Sequence, residues 1–291
     1  MTKREHVGVI GVGNMGAPMA ARLLERGFDV TVRDIRSEVE KPLLQSGARR
    51  ASSPREIATS CTAILIVVVD AQQIDVVLTG ENGLLDAVGP GHLVLLQSTI
   101  APADAARLAA SVVARGALVL DAPISGGPAR ARAGELSMMV AGADAAFARA
   151  RSLFDALATR VFRVGAEPGL GATMKLVNNL LAGIHLAAGA EAFAIGRAAG
   201  LDPHTMAEVF GASSGQSWML TDRLARVLSG DQQPRAQMHI LAKDLRLAGE
   251  LARDVGKAAS LGSATSALFA AAIAAGLTEA DDSALIAWAA R

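Results

Sequence analysis

The sequence predicts an α/β chain, with a doubly wound, mostly parallel sheet in its N-terminal half and an all-helical C-terminal domain. Three observations predict it. Strand-like and helix-like stretches alternate at βαβ spacing up to about residue 165. A glycine-rich turn joins the first strand to the first helix. Beyond Gly165-Ala166-Glu167-Pro168-Gly169 almost nothing reads as strand, and Ala, Leu and Met recur at helical spacing. These features divide the chain into domains 1–165 and 166–291.

The first strand, Val7-Gly8-Val9-Ile10, runs into Gly11-Val12-Gly13-Asn14-Met15-Gly16 and then an apolar helical stretch, Met19 to Leu24. Gly27 stops that helix, and a second strand, Val30 to Arg33, ends at Asp34. This is G-x-G-x-x-G in the setting it needs, with a strand before, a helix after and an acid roughly 20 residues on. Gly11 allows the tight turn, Gly13 lets backbone approach a pyrophosphate, and Gly16 lets helix and strand pack closely. With Asn14 and Met15 they form a candidate cradle, because free N–H groups and the helix dipole face a diphosphate there. A glycine-rich turn in some other α/β protein is the plainer account. Strand, helix, second strand and acid together favour a Rossmann dinucleotide site. Asp34 can accept both ribose hydroxyls and repels a 2′-phosphate, which points to NAD. Arg33 and Arg36 flank it and leave NADP possible.

Ala63 to Val69 reads as a central strand, apolar on both faces. His92 to Gln97 and Ala117 to Asp121 are further strands, separated by an Ala-rich helix from about Ala103 to Arg115. Leu136 to Ala141 and Val161 to Val164 extend the sheet around a helix near Ala145 to Leu157. The second domain opens with a helix from about Gly171 to Ala199, roughly 45 Å long. It is apolar nearly all round, as expected of a helix covered by several neighbours. A domain core explains that; a second subunit covering part of it explains the length as well, so a homodimer or dimer of dimers is expected.

Composition narrows the function. The 291 residues are 51% apolar and 19% charged, with zero formal net charge. That argues for a sizeable core and against nucleic acid or an anionic membrane surface as partner. The longest apolar runs, Ala63 to Val69 and Ala267 to Leu277, are too short to span a bilayer. A single cysteine, Cys61, fits a reducing cytoplasm, and a first strand at about His6 leaves no room for a signal peptide. The absence of any tyrosine excludes dehydrogenases that use Tyr as proton donor. Cys61 and the histidines His6, His92, His185, His204 and His239 show no zinc spacing, so no metal is expected. No H-E-x-x-H, G-x-S-x-G or G-K-[ST] occurs, which removes several hydrolase classes and P-loop NTPases.

Candidate chemistry sits in three segments. On the long helix, Lys175, Asn178 and Asn179 fall on one face. A snorkelling lysine with two capping amides explains them singly, but their clustering on a buried helix favours a catalytic role. Desolvation lowers a lysine pKa, so such an amine can be base for alcohol oxidation and acid for reduction. Ser125-Gly126-Gly127, after the strand ending at Asp121, is an ordinary turn or a nest of N–H groups for a carboxylate. Gln97-Ser98-Thr99 lies at another strand end, where ligands gather in doubly wound sheets, although Ser98 and Thr99 can equally cap the next helix.

Four motifs then appear in order over essentially the whole chain: Gly11–Gly16 continuing as Ala17-Pro18-Met19-Ala20, Asp121–Gly127, Gly171-x-x-x-Lys175-x-x-Asn178-Asn179, and Lys243-Asp244-Leu245. The chain resembles the β-hydroxyacid dehydrogenases, the group of 3-hydroxyisobutyrate, tartronate-semialdehyde (2-hydroxy-3-oxopropionate) and L-threonate enzymes. The resemblance implies an NAD(P)-dependent, metal-free oxidoreductase acting on a small C3–C4 carboxylate. Lys175 would be the catalytic acid/base with Asn179 assisting. Ser125, Gly126 and Gly127 would bind the carboxylate beside Asn178, and Thr99 and Lys243 would line the nicotinamide and substrate pocket. Val69 and Asp70 stand at the cofactor loop where many members have Leu-Pro, and Gln97 stands where many carry an acid. His185 and the Gly215-Gln216-Ser217-Trp218 segment look most similar to the L-threonate branch. His185 is either a satisfied core histidine or a contact for the substrate's distal hydroxyls. The rival readings are a dinucleotide-binding protein without turnover and an imine reductase on the same scaffold.

Overall fold

The computed structural model describes residues 5–290. Two compact units divide the chain, one up to Lys175 and one from Leu176 onward. The first unit begins with β1 (His6–Ile10), α1 (Gly16–Glu25), β2 (Asp29–Arg33), α2 (Ser37–Gln45), the short β3 (Arg49–Arg50) and α3 (Pro54–Ser60). It continues through β4 (Ala63–Ile66), α4 (Ala71–Thr79), β5 (Leu93–Leu96), α5 (Pro102–Val113), β6 (Leu118–Asp121) and β7 (Ile124–Ser125). It closes with α6 (Gly127–Ala133), β8 (Leu136–Ala141), α7 (Asp144–Arg149), α8 (Arg151–Leu157) and β9 (Ala158–Gly165).

The strands form one sheet in the order β3-β2-β1-β4-β5-β6-β8-β7, with β9 pairing β8. From β3 to β6 every pairing is parallel, while β8 runs antiparallel to β6 and β7. Alternation along each strand builds a core on both faces. Val7, Val9, Leu65, Leu95 and Leu120 pack with Met19 and Leu23 of α1 and Leu153 and Phe154 of α8. Ile64, Ile66, Val94, Leu96 and Val119 pack with Ile57 of α3, Ile74 of α4 and Leu108 of α5. This is the doubly wound architecture expected.

Two elements differ from expectation. The apolar run from Ala63 leaves the ladder after Ile66. The Val67 N–H still reaches Ile10 O, but the Val68 N–H goes to Ser98 Oγ and the Val69 N–H to Gln73 Oε1. Side chains replace the strand partner there, which frees the loop from the sheet. The helix expected near Ala145 to Leu157 is two helices broken at Ala150, whose ψ of −2° interrupts the helical path.

After α9 (Leu170–Ala198), the second unit comprises α10 (Pro203–Ala212), α11 (Trp218–Ser229), α12 (Met238–Asp254), α13 (Ser260–Ala272) and α14 (Ala284–Ala289). Leu186, Phe193, Leu220, Leu224, Leu241, Phe269 and Leu285 are among its core. Asp202 and Ser217 cap α10 and α11 through the N–H groups of Thr205 and Leu220. By length and composition Leu170–Ala198 and Ser260–Leu277 are apolar enough to cross a membrane, and only 39% and 22% of their most apolar windows are buried. Counting uninterrupted apolar runs misses them because isolated polar residues, Lys175 and His185 among them, punctuate an otherwise apolar helix.

A buried ion cluster ties the C-terminal segment to α11. Asp281 Oδ2 accepts from Arg226 Nη1 at 3.0 Å and from the N–H groups of Arg235 and Ala236, and Oδ1 accepts from the Ser283 N–H. Burial pushes the Asp281 carboxyl up, but bonds from Ser283 and Ala236 and the Arg226 charge outweigh it and hold it below its ordinary value. A carboxyl depressed in the folded state contributes stability that is present above its unfolded value and lost as pH falls through the folded one. Asp281→Asn takes from buried Arg226 its hydrogen-bonded carboxylate, leaving Asp222 and Asp282 at 3.4 and 3.8 Å, and costs about 2 kcal/mol in denaturant unfolding at neutral pH. The gap from wild type should narrow below about pH 4; a gap that is negligible at pH 7, or constant into acid, contradicts this account.

Candidate active site

The glycine loop is built by sterics that differ at its three glycines. Gly11 has φ +88°, and a Cβ there would lie 2.4 Å from Val67 O. A Cβ on Gly16 would lie 1.9 Å from Gly11 O, so α1 packs on the turn only without a side chain. Gly13 is unlike both. A Cβ at Gly13 would meet nothing nearer than Arg36 Nη2, at 3.4 Å. The fold itself therefore demands Gly11 and Gly16, whereas the bareness of Gly13 leaves a space the chain does not fill. α1 also starts without a side-chain cap, beside exposed Asn14 and half-buried Met15. Asp34, 7% exposed, closes the arrangement. Its Oδ2 accepts the Val12 N–H at 2.9 Å, and Oδ1 accepts the Arg36 N–H at 3.0 Å. An open amide-lined loop tied to a carboxylate at the end of β2 fits a diphosphate and a ribose.

The next strand ends add polar groups. Ser98 Oγ accepts the Val68 N–H, and Ala101, at the start of α5, supplies no side-chain cap. Thr99 is half-buried. Asp70 caps α4 through the Gln73 N–H, and Val69 is exposed beside it. Gln97 is 2% exposed, and neither its carboxamide oxygen nor its nitrogen has a hydrogen-bond partner among the described residues. At β7, Gly126 and Gly127 both take positive φ, +137° and +74°, directly after Ser125. A Cβ on Gly127 would meet nothing within 4 Å, and α6 begins there uncapped by any side chain. Consecutive backbone amides on an open turn are what a carboxylate-binding loop requires.

Asp121 organises the start of α9. Its Oδ2 accepts the Gly169 N–H at 2.8 Å and the Ala172 N–H at 2.9 Å. Burial pushes the Asp121 carboxyl above its ordinary range, against the pull of the Ala172, Gly169 and Gly171 amides. Gly171 is required, since a Cβ there would lie 2.5 Å from Asp121 O. One turn on, Lys175 is held at 6% exposure. No local signal marks this role for Asp121, because its partners lie 48 and 51 residues away.

Further along α9, Asn178 Nδ2 donates to Asn179 Oδ1, and Asn179 Nδ2 donates to Asp244 Oδ2 at 2.7 Å. Lys243 Nζ donates to Asp244 Oδ1 at 2.8 Å. Asp244 thus holds both Asn179 and Lys243; the Lys243-Asp244-Leu245 motif was its only trace in the sequence. His185 is half-buried, whereas His239 is engaged with Thr278 O. Trp218 is exposed and lies under the Arg223 guanidinium at 5.9 Å. Among the described residues no group of three or more His, Cys, Asp or Glu could hold a metal ion.

Comparison with known proteins matches both parts of the chain. Residues 6–165 match the family of the NAD binding domain of 6-phosphogluconate dehydrogenase. Residues 169–289 match the NAD-binding domain of NADP-dependent 3-hydroxyisobutyrate dehydrogenase. An L-threonate dehydrogenase of Cupriavidus necator is 41% identical over 97% of this chain and 95% of its own. A 3-hydroxyisobutyrate dehydrogenase of Pseudomonas aeruginosa is 36% identical over 90% of each. The crystal structure of a 3-hydroxyisobutyrate dehydrogenase from Salmonella typhimurium superposes with a TM-score of 0.89, at 38% identity, over 97% of this chain and 99% of that one. With the dinucleotide loop in place and similarity running through both units, the chain belongs to the β-hydroxyacid dehydrogenase family and is an NAD(P)-dependent hydroxyacid dehydrogenase.

Proposed function

We propose that the enzyme acts on a small C3–C4 hydroxy acid, L-threonate or a close chemical relative such as 3-hydroxyisobutyrate or 2-hydroxy-3-oxopropionate, with NAD preferred and Lys175 as acid/base. The observation that carries this is a lysine kept at 6% exposure one turn after the amides that Asp121 anchors. Taking an ammonium out of water is costly, and a purely structural helix start has no need of it. Similarity to L-threonate dehydrogenases supports the substrate class. The same similarity favours alcohol oxidation over imine reduction.

During oxidation, Lys175 Nζ in its amine form takes the proton from the substrate hydroxyl; in reduction the ammonium returns it. The nicotinamide, when bound, supplies the hydride acceptor or donor. Asn179, steadied by Asp244, orients the reacting oxygen or the amine. Ser125 and the amides of Gly126 and Gly127 take the carboxylate, Asn178 and His185 serve the rest of the substrate, and Thr99 and Lys243 line the cofactor side with Val69 and Asp70. The amides after Gly11, from Gly13 to Gly16, hold the diphosphate, and Asp34 reads the ribose.

A second copy is proposed to cover the apolar sides of α9 and α13, where Val177, Leu181, Ile195 and Leu261 are exposed in the single chain. A reducing, cytoplasmic setting is proposed as well, consistent with Cys61 being a buried free thiol.

Lys175→Ala should lower kcat by about two to four orders of magnitude while NADH binding, followed by fluorescence, persists; turnover within a few-fold of wild type removes Lys175 from the role. Higher kcat/KM with NAD than with NADP is expected from Asp34, and the reverse order shows that this acid does not set the preference. Light scattering on the purified protein should give twice or four times the chain mass, whereas a monomer at micromolar concentration dismisses the second copy.

A further inference from the structure

Glu40 is a fully buried acid that the chemistry above does not use. It lies in the first turn of α2, a helix whose remaining charged residues are exposed. Its Oε1 accepts the backbone N–H of Asp34 at 2.7 Å and lies 3.7 Å from Arg33 Nη1. Its Oε2 lies 2.8 Å from Arg50 Nε. Arg33 ends β2 and Arg50 lies on β3, the parallel neighbour of β2. One carboxylate therefore stands between two guanidinium groups without full satisfaction on either side, since Arg33 Nε is buried without a hydrogen-bond partner and Glu40 Oε2, though close to Arg50 Nε, makes no hydrogen bond among the described residues. Asp34, next in the chain, holds a third guanidinium through Arg36 Nε at 3.4 Å. Three cations and two anions thus converge where β2 ends, at the acid assigned to the ribose.

A fully buried carboxylate whose cationic partners reach solvent is a poor way to stabilise a helix, because a well-packed apolar residue of similar volume does as well or better. The arrangement makes physical sense if it sets the field around Asp34. We propose that Glu40 is a positioning residue for cofactor choice: it fixes the Asp34 peptide and pairs with the Arg33 and Arg50 guanidinium groups, so that the Asp34 carboxylate, not a guanidinium, faces the ribose 2′ position. Without the Glu40 charge, two guanidinium groups lose their anchor beside that position and attract a 2′-phosphate. The inference rests on the reading of Asp34 as the ribose acid. It goes beyond it by assigning the preference to a residue that touches neither cofactor nor substrate.

Binding of NADH and NADPH to the purified protein, without substrate, tests this for wild type, Glu40→Gln, Arg50→Gln and the double variant. Glutamine keeps an acceptor for the Asp34 N–H, removes the charge and turns the atom beside Arg50 Nε into a donor. Glu40→Gln should lower the ratio Kd(NADPH)/Kd(NADH) by at least about fivefold, and high salt should shrink the shift. Arg50→Gln removes one cation from the exposed edge and should move the ratio the opposite way, with the double variant between the two. The far-UV melting curve of each protein reports folding, and if Glu40→Gln does not fold, the sign of the Arg50→Gln shift decides alone. A ratio unchanged within about twofold in the folded variants, or parallel weakening of both cofactors, makes Glu40 a structural clamp and overturns the proposal. Wild-type protein that binds neither dinucleotide overturns the cofactor assignment and this inference together.

Discussion

A carboxylate at the buried end of a strand must find donors or give up its charge. The first turn of a helix has the opposite problem, amides with no intrahelical acceptor. Asp121 and the start of α9 resolve each other's need, through the Gly169 and Ala172 N–H groups on one carboxylate oxygen. The location of Lys175 follows from that pairing. With the first turn pinned to the C-terminal edge of β6 and Gly171 pressed against it, the side chain one turn later has its height and direction assigned before any substrate arrives. Gly169 and Gly171 are accordingly part of the same device as the lysine, although neither carries chemistry.

This long-range pairing also shows where a sequence stops being readable. The glycine loop was legible because its demands are local: a positive φ at Gly11 and an absent Cβ at Gly16 act within a few residues, and the strand and helix around them have their own periods. Lys175 and Asn179 were legible as a helix stripe. Asp121 was not, nor the grip of Asp244 on Asn179 across 65 residues, because a hydrogen bond between distant segments imposes no period on either. The same limit explains the shorter β4. Val67 to Val69 are as apolar as the strand before them, and only the distant hydroxyl of Ser98 and the amide of Gln73 show that their N–H groups leave the ladder. At Ala150 the helix breaks with neither glycine nor proline to announce it.

Buried acids sort the polar interior by purpose. Asp281 is surrounded by donors from its own neighbourhood and from Arg226, and its ion cluster closes within the helical unit. Asp34, Asp121 and Asp244 each hold another part of the chain in place: the glycine loop through Val12, the first turn of α9, and the Asn179–Lys243 pair. Gln97 is the exception, a buried amide with both ends unsatisfied among the described residues at the end of β5. A fold selected for stability alone would place an apolar side chain there.

α9 meets two demands that compete on most helices. Successive residues turn by about 100°, so Lys175, Asn178 and Asn179 share one side with Ala182 between their lines. Met174, Val177, Leu181 and Ile195, all exposed in the single chain, gather on an adjoining stripe, whose edge at Met174 lies about 40° from the line of Asn178. The apolarity that makes the helix resemble a membrane span thus centres on a face turned away from Lys175 and Asn179, with Asn178 and His185 at its margin. Whatever packs on that stripe buries a large apolar area without covering the amine. A helix of this length can then carry an exposed apolar stripe and a buried lysine on separate faces. Had the two sets been interleaved on one face, covering the first would have sealed off the second.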